Sequence, residues 1–486
     1  MKLRGRLSSW MTVGAIAGAL AGCGSSGAAV SNRHELRLIA PSTDGAANSE
    51  HPRLVWAGLG EPAASYRVEA FADDAHTQSI EAATTAVPEL TLSAPYDAGQ
   101  RVYVRVEALD GAGLSLGRAD SRFHAVPLPD DLPRAAVPIL DAARGGGGYT
   151  LFNIQDPLPP QQEDRVAALL VVNAHGEVVW WRRFPAGFVT DAWVGADGRL
   201  RYVYSPNGGP SQAFESSWDG ASSWRSRDGA LVHHDLTVGP DDRYLYLTTV
   251  VREVLGTPFE GDGIELVDPA TNQVTWSWNI FDHIPVTDFN GIDLLLPGVN
   301  GQGQDWTHCN ALAWDPKRRL IWLSVRNLSR LLAIDYPSGE VRATFGETGL
   351  GGEELMDHQH APEIDDDGSL LYFDNGLDRG WSRVAGFAWD AAAGTVTPNF
   401  EWRDDAKFYD PALGDVDRLA NGHLLITSGV GGTVLGKPAR LIEISAEGEK
   451  LWQLELGSGQ RPAGYWIYRA QRLSSDQLPD GANPFD

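Results

Sequence analysis

Three histidines stand at equivalent places in a repeat. Seven residues before the turn residues Asp241, Asp315 and Asp367 lie His234, His308 and His360. The same count from Asp197 and Asn421 reaches Thr190 and Gly414. The chain has only 12 histidines among 486 residues, so three in five equivalent positions ask for a reason beyond composition. Asn310 follows His308 on the same side of an extended strand, while Cys309 faces the other way. Arg326 comes next in the run Leu323-Ser-Val-Arg-Asn327. A neutral imidazole is a nucleophile and a proton carrier near neutral pH. A guanidinium and an amide cradle the non-bridging oxygens of a tetrahedral oxyanion. Together these groups suit transfer of a sulfuryl or phosphoryl group through a histidine intermediate. The same histidines could instead hold zinc or copper with an open position. No spacing such as His-Glu-x-x-His favours that second reading.

The elements that carry these residues repeat. Each unit has two short strands around a first turn, a strand running to a second turn, and a closing strand. The first turns fall at Asp197, Asp241, Asp315, Asp367 and Asn421, about 44 to 74 residues apart, the length of a propeller blade plus insertions. Counting a leading blade from Tyr149 predicts an all-β, six-bladed β-propeller over 149–474, with Tyr465–Leu473 completing the first blade, while the irregular stretch 199–230 leaves a seventh blade open. The first strand of each blade lines the channel, so the histidines converge on one axis. Trp180, Trp181, Trp276, Trp278, Trp402 and Trp452 fall on outer strands and read as packing between blades. Trp306, Trp193 and Trp381 lie nearer the channel-facing turns, where an indole could stack on an aromatic ring. By strand parity His233 faces away from His234 and reads as structural.

Ahead of the propeller, 35–126 alternates apolar and polar residues as a small β-sandwich does. The Pro/Gly-rich segment 127–148 reads as a stiff linker, and 475–486 as a C-terminal tail. Residues 1–22 carry Lys2, Arg4 and Arg6 and then a short apolar core ending Leu20-Ala-Gly-Cys23. That is the pattern of a lipoprotein signal peptide, with Cys23 the lipidated residue and 23–34 a tether. The expected location is therefore the bacterial envelope, at the periplasmic or surface face of the outer membrane, held through the N-terminal lipid alone. A formal net charge of -25 repels nucleic acid and anionic membrane surfaces. Two cysteines, Cys23 and Cys309, exclude a disulfide framework and Cys-ligated zinc.

The runs Asp305-Trp-Thr-His-Cys-Asn310, Leu323-Ser-Val-Arg-Asn327, His358-Gln-His360, Phe373-Asp-Asn-Gly376, Ser382-Arg383 and Leu419-Ala-Asn-Gly422 resemble those of bacterial arylsulfate sulfotransferases, over about 149–474. The resemblance implies a six-bladed propeller behind a small β-domain. It also implies PAPS-independent, ping-pong sulfuryl transfer from an aryl sulfate to a phenol through a sulfurylated histidine, with no cofactor and no metal. Carried onto this chain, His360 is the nucleophile, and His308 and His234 move protons to the leaving phenolate and from the acceptor. Asn310 and Arg326 hold the sulfuryl oxygens. His358, Ser428 and Trp306 are candidate substrate contacts. Some members carry a disulfide near the site. This chain cannot form one, so the loop before Met356 must be held otherwise, and Gly349–Gly352 suggests a mobile entrance. The expected partners are a small aryl sulfate and a phenol, and a homodimer is compatible with these features. The competing classes are a non-catalytic envelope propeller and a histidine-ligated metal hydrolase or lyase.

Overall fold

The computed structural model describes residues 36–57, 59, 63–156, 165–287, 298, 301–365, 367–404, 408–431, 436–457, 464–474 and 477–478. The expected signal peptide, Cys23 and the tether lie outside the described residues, as does the tail apart from 477–478. The described chain is all-β, with only three-residue 3-10 turns besides its strands. No helix among the described residues is long and apolar enough to cross a membrane.

Six sheets follow one another from residue 149 onward. The innermost strands of the second to sixth sheets are Gly187–Val194, Val232–Val238, Cys309–Asp315, His360–Ile364 and Asp415–Arg418. The first sheet takes its innermost strand from the far end of the sequence: Ala470–Leu473 pairs antiparallel with Tyr149–Gln155, Phe152 opposite Ala470. The segment 199–230, irregular in sequence, resolves into the outer three strands of the second sheet.

Strand alternation gives each sheet two apolar faces, and each neighbouring pair of sheets shares one core. Leu170 and Phe152 of the first sheet meet Leu441 and Trp452 of the sixth. Val171 and Val179 of the first meet Val189 and Tyr202 of the second. Four further cores join the second sheet to the third, third to fourth, fourth to fifth and fifth to sixth. The sheets thus close into a propeller-like ring. Each fully buried Leu, Ile or Phe contributes about 1.5–3 kcal/mol relative to exposure.

The outer-strand tryptophans cross these seams. Trp278 Nε1 donates to the Gly339 carbonyl (3.0 Å), Trp402 to Gly448 (3.0 Å) and Trp452 to Ala174 (2.8 Å), each on a turn of the next sheet. A buried indole needs such an acceptor. Gly448 has φ +86, and a Cβ there would lie 3.0 Å from Trp402 Cδ1, so the turn must be glycine.

Residues 36–126 form a three-stranded and a five-stranded sheet over a shared core containing Leu54, Trp56, Val102, Val104, Val106 and Phe123. This unit docks on the first sheet of the ring. Asn48 mimics a strand neighbour there, accepting from Val178 N and donating to Val178 O, both at 2.8 Å. The stretch 127–148 is not linker throughout. Ala135–Leu140 pairs with Lys450–Leu456 as a fifth strand of the sixth sheet, covering an edge that would otherwise be open.

The loop before Met356 is held without a disulfide. Leu355 and Met356 are buried among Trp322, Phe345 and Tyr372, and Arg383 donates to the Glu354 and Leu355 carbonyls at 2.7 and 3.1 Å. Leu350–Gly351, expected in an entrance loop, instead pairs parallel with Phe345–Gly346.

Candidate active site

The inner strands do not run as regular strands where the histidines sit. Register shifts interrupt pairing at Thr190/Trp193, His233/Leu236, Cys309/Ala311 and His360/Glu363. Left-handed residues accompany them: Asp191 (φ 47), His234 (φ 55), His308 (φ 45) and Ala361 (φ 47). A bulge of this kind breaks the two-residue alternation and re-aims side chains, which is why bulges gather at functional sites. In the sixth sheet the equivalent residue is Gly414, where φ is +111 and a Cβ would lie 2.5 Å from Phe373 Cδ1. No side chain fits there.

The bulges bring His234 and His308 together, ring centroids 4.9 Å apart. Tyr468, from the segment leading into the closing strand, lies 5.9 Å from His234 and 6.5 Å from His360. Its hydroxyl donates to the Asn310 carbonyl (3.3 Å). The next residue, Arg469, is largely buried. It pairs with Asp191 (2.5 Å) and Asp235 (2.9 Å) and donates to the Asn310 carbonyl (3.1 Å).

The ring nitrogens are assigned by their partners. Asn375 Nδ2 donates to the carbonyls of Asp410 (2.8 Å) and Leu413 (2.7 Å), so its Oδ1 must be the atom 2.6 Å from His360 Nδ1. His360 therefore carries its proton on Nδ1 and, when neutral, a lone pair on Nε2. Asp305 Oδ2 accepts from His308 Nδ1 at 2.6 Å and fixes the same tautomer. Burial first, then Arg326, holds the His360 pKa well below the usual imidazole value, with the Asn375 hydrogen bond opposing and His308 and Arg469 adding to the depression. Burial, followed by His308, His233, His360 and Arg469, does the same to His234. Both are neutral at pH 7.

Arg326 is half-buried at the end of Leu320–Val325 and donates to Asn327 Oδ1 (2.7 Å). Asn310 is buried, with Nδ2 donating to the Gln359 carbonyl at 2.9 Å. One constellation thus holds His234, His308, His360, Asn310 and Arg326. His358 is fully buried beside it, its Nδ1 2.7 Å from Asp357 Oδ1 and its amide donating to Ser329 Oγ. Ser428 is also buried, donating to Asp410 Oδ2 at 2.5 Å, so it reaches His360 only through Asp410 and Asn375. Trp306, expected at the substrate, lies elsewhere. It is 1 % exposed and packs on Phe281 in the core between the third and fourth sheets, where its indole is buried among apolar side chains. The three channel histidines also do not gather their nitrogens as metal ligands would. Among the described residues the group that comes within such reach is Asp357, His358 and Asp378.

A family model described as arylsulfotransferase (ASST) matches residues 161–469. The chain belongs to the arylsulfotransferase (ASST) family. Membership of that family supports sulfotransferase activity. No curated protein matches the chain significantly. Solved structures similar to it include Kuenenia stuttgartiensis hydrazine synthase, at 13% identity and TM-score 0.28, covering 48% of this chain and 51%, about half, of that one. An auxiliary nutrient binding protein from Bacteroides ovatus is 11% identical, with TM-score 0.37 and 90% of each chain covered. The Dos1 propeller is 8% identical, with TM-score 0.33, covering 81% of this chain and 91% of that one.

In this family member the residues that sequence reasoning missed are those behind the histidines: Asp305, Asn375, Tyr468 and His233. The first two stand in motif runs already noted, but only their partners reveal what they hold. His233 is not turned away from His234. The left-handed His234 brings the two Nδ1 atoms to 2.8 Å. Beyond Arg469 lies a separate cavity of about 430 Å³ lined by Asp191, Asp235, Glu363, Asp415 and Asp417. Burial raises Glu363 to about 7 and Asp415 to about 6. None of the channel histidines lines it.

Proposed function

We propose that this arylsulfotransferase moves a sulfuryl group from an aryl sulfate to a phenol by a ping-pong route through His360, without PAPS. The observation that carries the reading is the neutral, buried His360, whose Nε2 lone pair is set by Asn375 beside the Arg326 cation. In the first half-reaction Nε2 attacks sulfur, the S–O(aryl) bond breaks, and the phenolate leaves with a proton from Nε2 of a doubly protonated His308, whose Nδ1–H stays on Asp305. In the second, a phenol gives its proton to a histidine, its oxygen attacks sulfur, and the N–S bond breaks. Arg326 and the second N–H of Asn310 Nδ2 suit the sulfuryl oxygens, whose charge shifts during transfer. Attachment to the bacterial envelope through Cys23 belongs to the same reading and rests on the sequence before residue 36.

The test is release of 4-nitrophenol from 4-nitrophenyl sulfate with and without phenol, beside His360→Ala and an EDTA control. Phenol-dependent turnover that survives EDTA and disappears in the variant supports the reading. Acceptor-independent turnover abolished by EDTA refutes it in favour of a metal hydrolase.

A further inference from the structure

Behind His234 lies a chain of buried polar groups that the transfer chemistry above does not use. His233, 2 % exposed, places Nδ1 at 2.8 Å from His234 Nδ1. Its other nitrogen, Nε2, stands 3.0 Å from Oδ1 of the buried Asp262. The second oxygen of Asp262 accepts from Thr307 Oγ1 (2.5 Å) and the Cys309 amide (2.8 Å), which ties this carboxylate to the strand carrying His308. Burial alone would raise the Asp262 carboxyl, but the adjacent His233 imidazole and hydrogen bonds from Thr307 and the Cys309 amide bring it below the usual carboxylate range.

For a neutral His233 the proton positions follow by exclusion. An ionised Asp262 only accepts, so His233 carries a proton on Nε2. A neutral His233 then offers a lone pair at Nδ1. His234 Nδ1 must be the donor in the 2.8 Å contact, and the His234 lone pair lies on Nε2. Against that neutral His233, the opposite His234 tautomer would set two lone pairs face to face.

We infer that His233 and Asp262 are positioning residues that hold His234 as the base for the acceptor phenol. This rests on the sulfuryl-transfer reading. In the second half-reaction the phenol O–H proton goes to His234 Nε2 while the phenol oxygen bonds to sulfur and the His360 N–S bond breaks. The resulting imidazolium donates from Nδ1 to His233, whose Nε2–H faces the Asp262 carboxylate. The charge that appears on His234 is thus met by a fixed acceptor, in surroundings where His308, His360, Tyr468 and Arg469 offer none of equal quality. Positioning and proton transfer of this kind contribute on the order of 100-fold or more in rate.

Two substitutions separate this role from packing. His233→Phe keeps the ring volume but removes the acceptor. His233→Asn loses volume but puts an amide oxygen near the Nδ1 position. The burst of 4-nitrophenol, which reports sulfurylation of His360, and the later phenol-dependent turnover are measured separately in each. The expected result is a burst like that of the parent in both variants. Phenol-dependent turnover should fall about 100-fold in His233→Phe and less than about tenfold in His233→Asn. Unchanged phenol turnover in His233→Phe overturns the inference, and so does an equal or greater loss in His233→Asn, which is what packing alone requires. Absence of any burst in the parent protein defeats the sulfuryl-transfer reading instead. The tautomer stands apart from both. With ¹⁵N-histidine label, assigned through His234→Gln, the parent should show His234 protonated on Nδ1 at pH 7.5. Protonation on Nε2 overturns the inference even if the variants do not fold.

Discussion

Replacing Asn375 by alanine isolates what a hydrogen bond behind the proposed nucleophile contributes. In the structure this amide accepts from His360 Nδ1 at 2.6 Å and donates to two buried carbonyls at 2.8 and 2.7 Å. In the proposed transfer, bonding of Nε2 to sulfur puts positive charge on the ring, and a neutral hydrogen bond of about 0.5–1.5 kcal/mol becomes a charge-assisted one of about 1.5–3 kcal/mol. Loss of that difference, together with loss of the fixed tautomer, removes about 2–3 kcal/mol from the transition state, or roughly 30- to 150-fold in kcat/KM for the donor. The two orphaned carbonyls add a stability cost of about 2–4 kcal/mol, visible as a lower Tm. Stopped-flow release of 4-nitrophenol well below that Tm reads the chemical effect alone. A folded Asn375→Ala protein whose donor kcat/KM stays within about threefold of the parent would show that Asn375 does not set the nucleophile.

Arg469→Met leaves Asp191 and Asp235 buried without their cation, so the variant should lose about 3–5 kcal/mol of stability, read by denaturant titration. Glu363 titrates near 7 in the fold against about 4.5 unfolded, so the native state is favoured below 4.5 and loses that advantage as pH rises through 7. Glu363→Gln should therefore raise Tm at pH 8, by the equivalent of about 1–3 kcal/mol after allowing for its coupled carboxylates, and leave it unchanged near pH 4.5. Because burial and Arg326 hold His360 neutral, donor kcat/KM should stay flat as pH falls from about 7.5 to 6. An acid inflection at or above about 6.5 would count against that electrostatic account.

The histidine constellation was legible because a propeller-like ring converts equal sequence positions into equal heights around one axis. Counting back from five turns found His234, His308 and His360, and the strand spacing added Asn310. The sixth place, held by Tyr468, escaped because the closing strand precedes no turn of the kind used for counting. His233 was misread by a rule that holds only for regular strands, and the left-handed φ of 55 at His234 breaks it. Trp306 shows the converse error, since nearness to a channel turn in sequence did not decide which way the indole packs. The strand Ala135–Leu140 was hidden by its proline, which is tolerated because this is an edge strand. Asn375 and Asp305 were visible as letters, but a hydrogen-bond acceptor behind a ring has no periodic signature.

Pairing of Phe152 with Ala470 means that the first sheet waits for almost the whole chain before it can be finished. Contacts so distant along the chain form late, after the nearer hairpins have already repaid their own loop-closure entropy. The same late strand brings Tyr468 and Arg469 against His234, His360 and Asn310. An unfinished or truncated chain can therefore hold five well-formed sheets and still lack the floor of its reactive centre. Turnover becomes a reporter of completed synthesis: a nascent chain, or a fragment cut ahead of residue 465, stays silent towards substrate, and activity switches on only when the ring shuts.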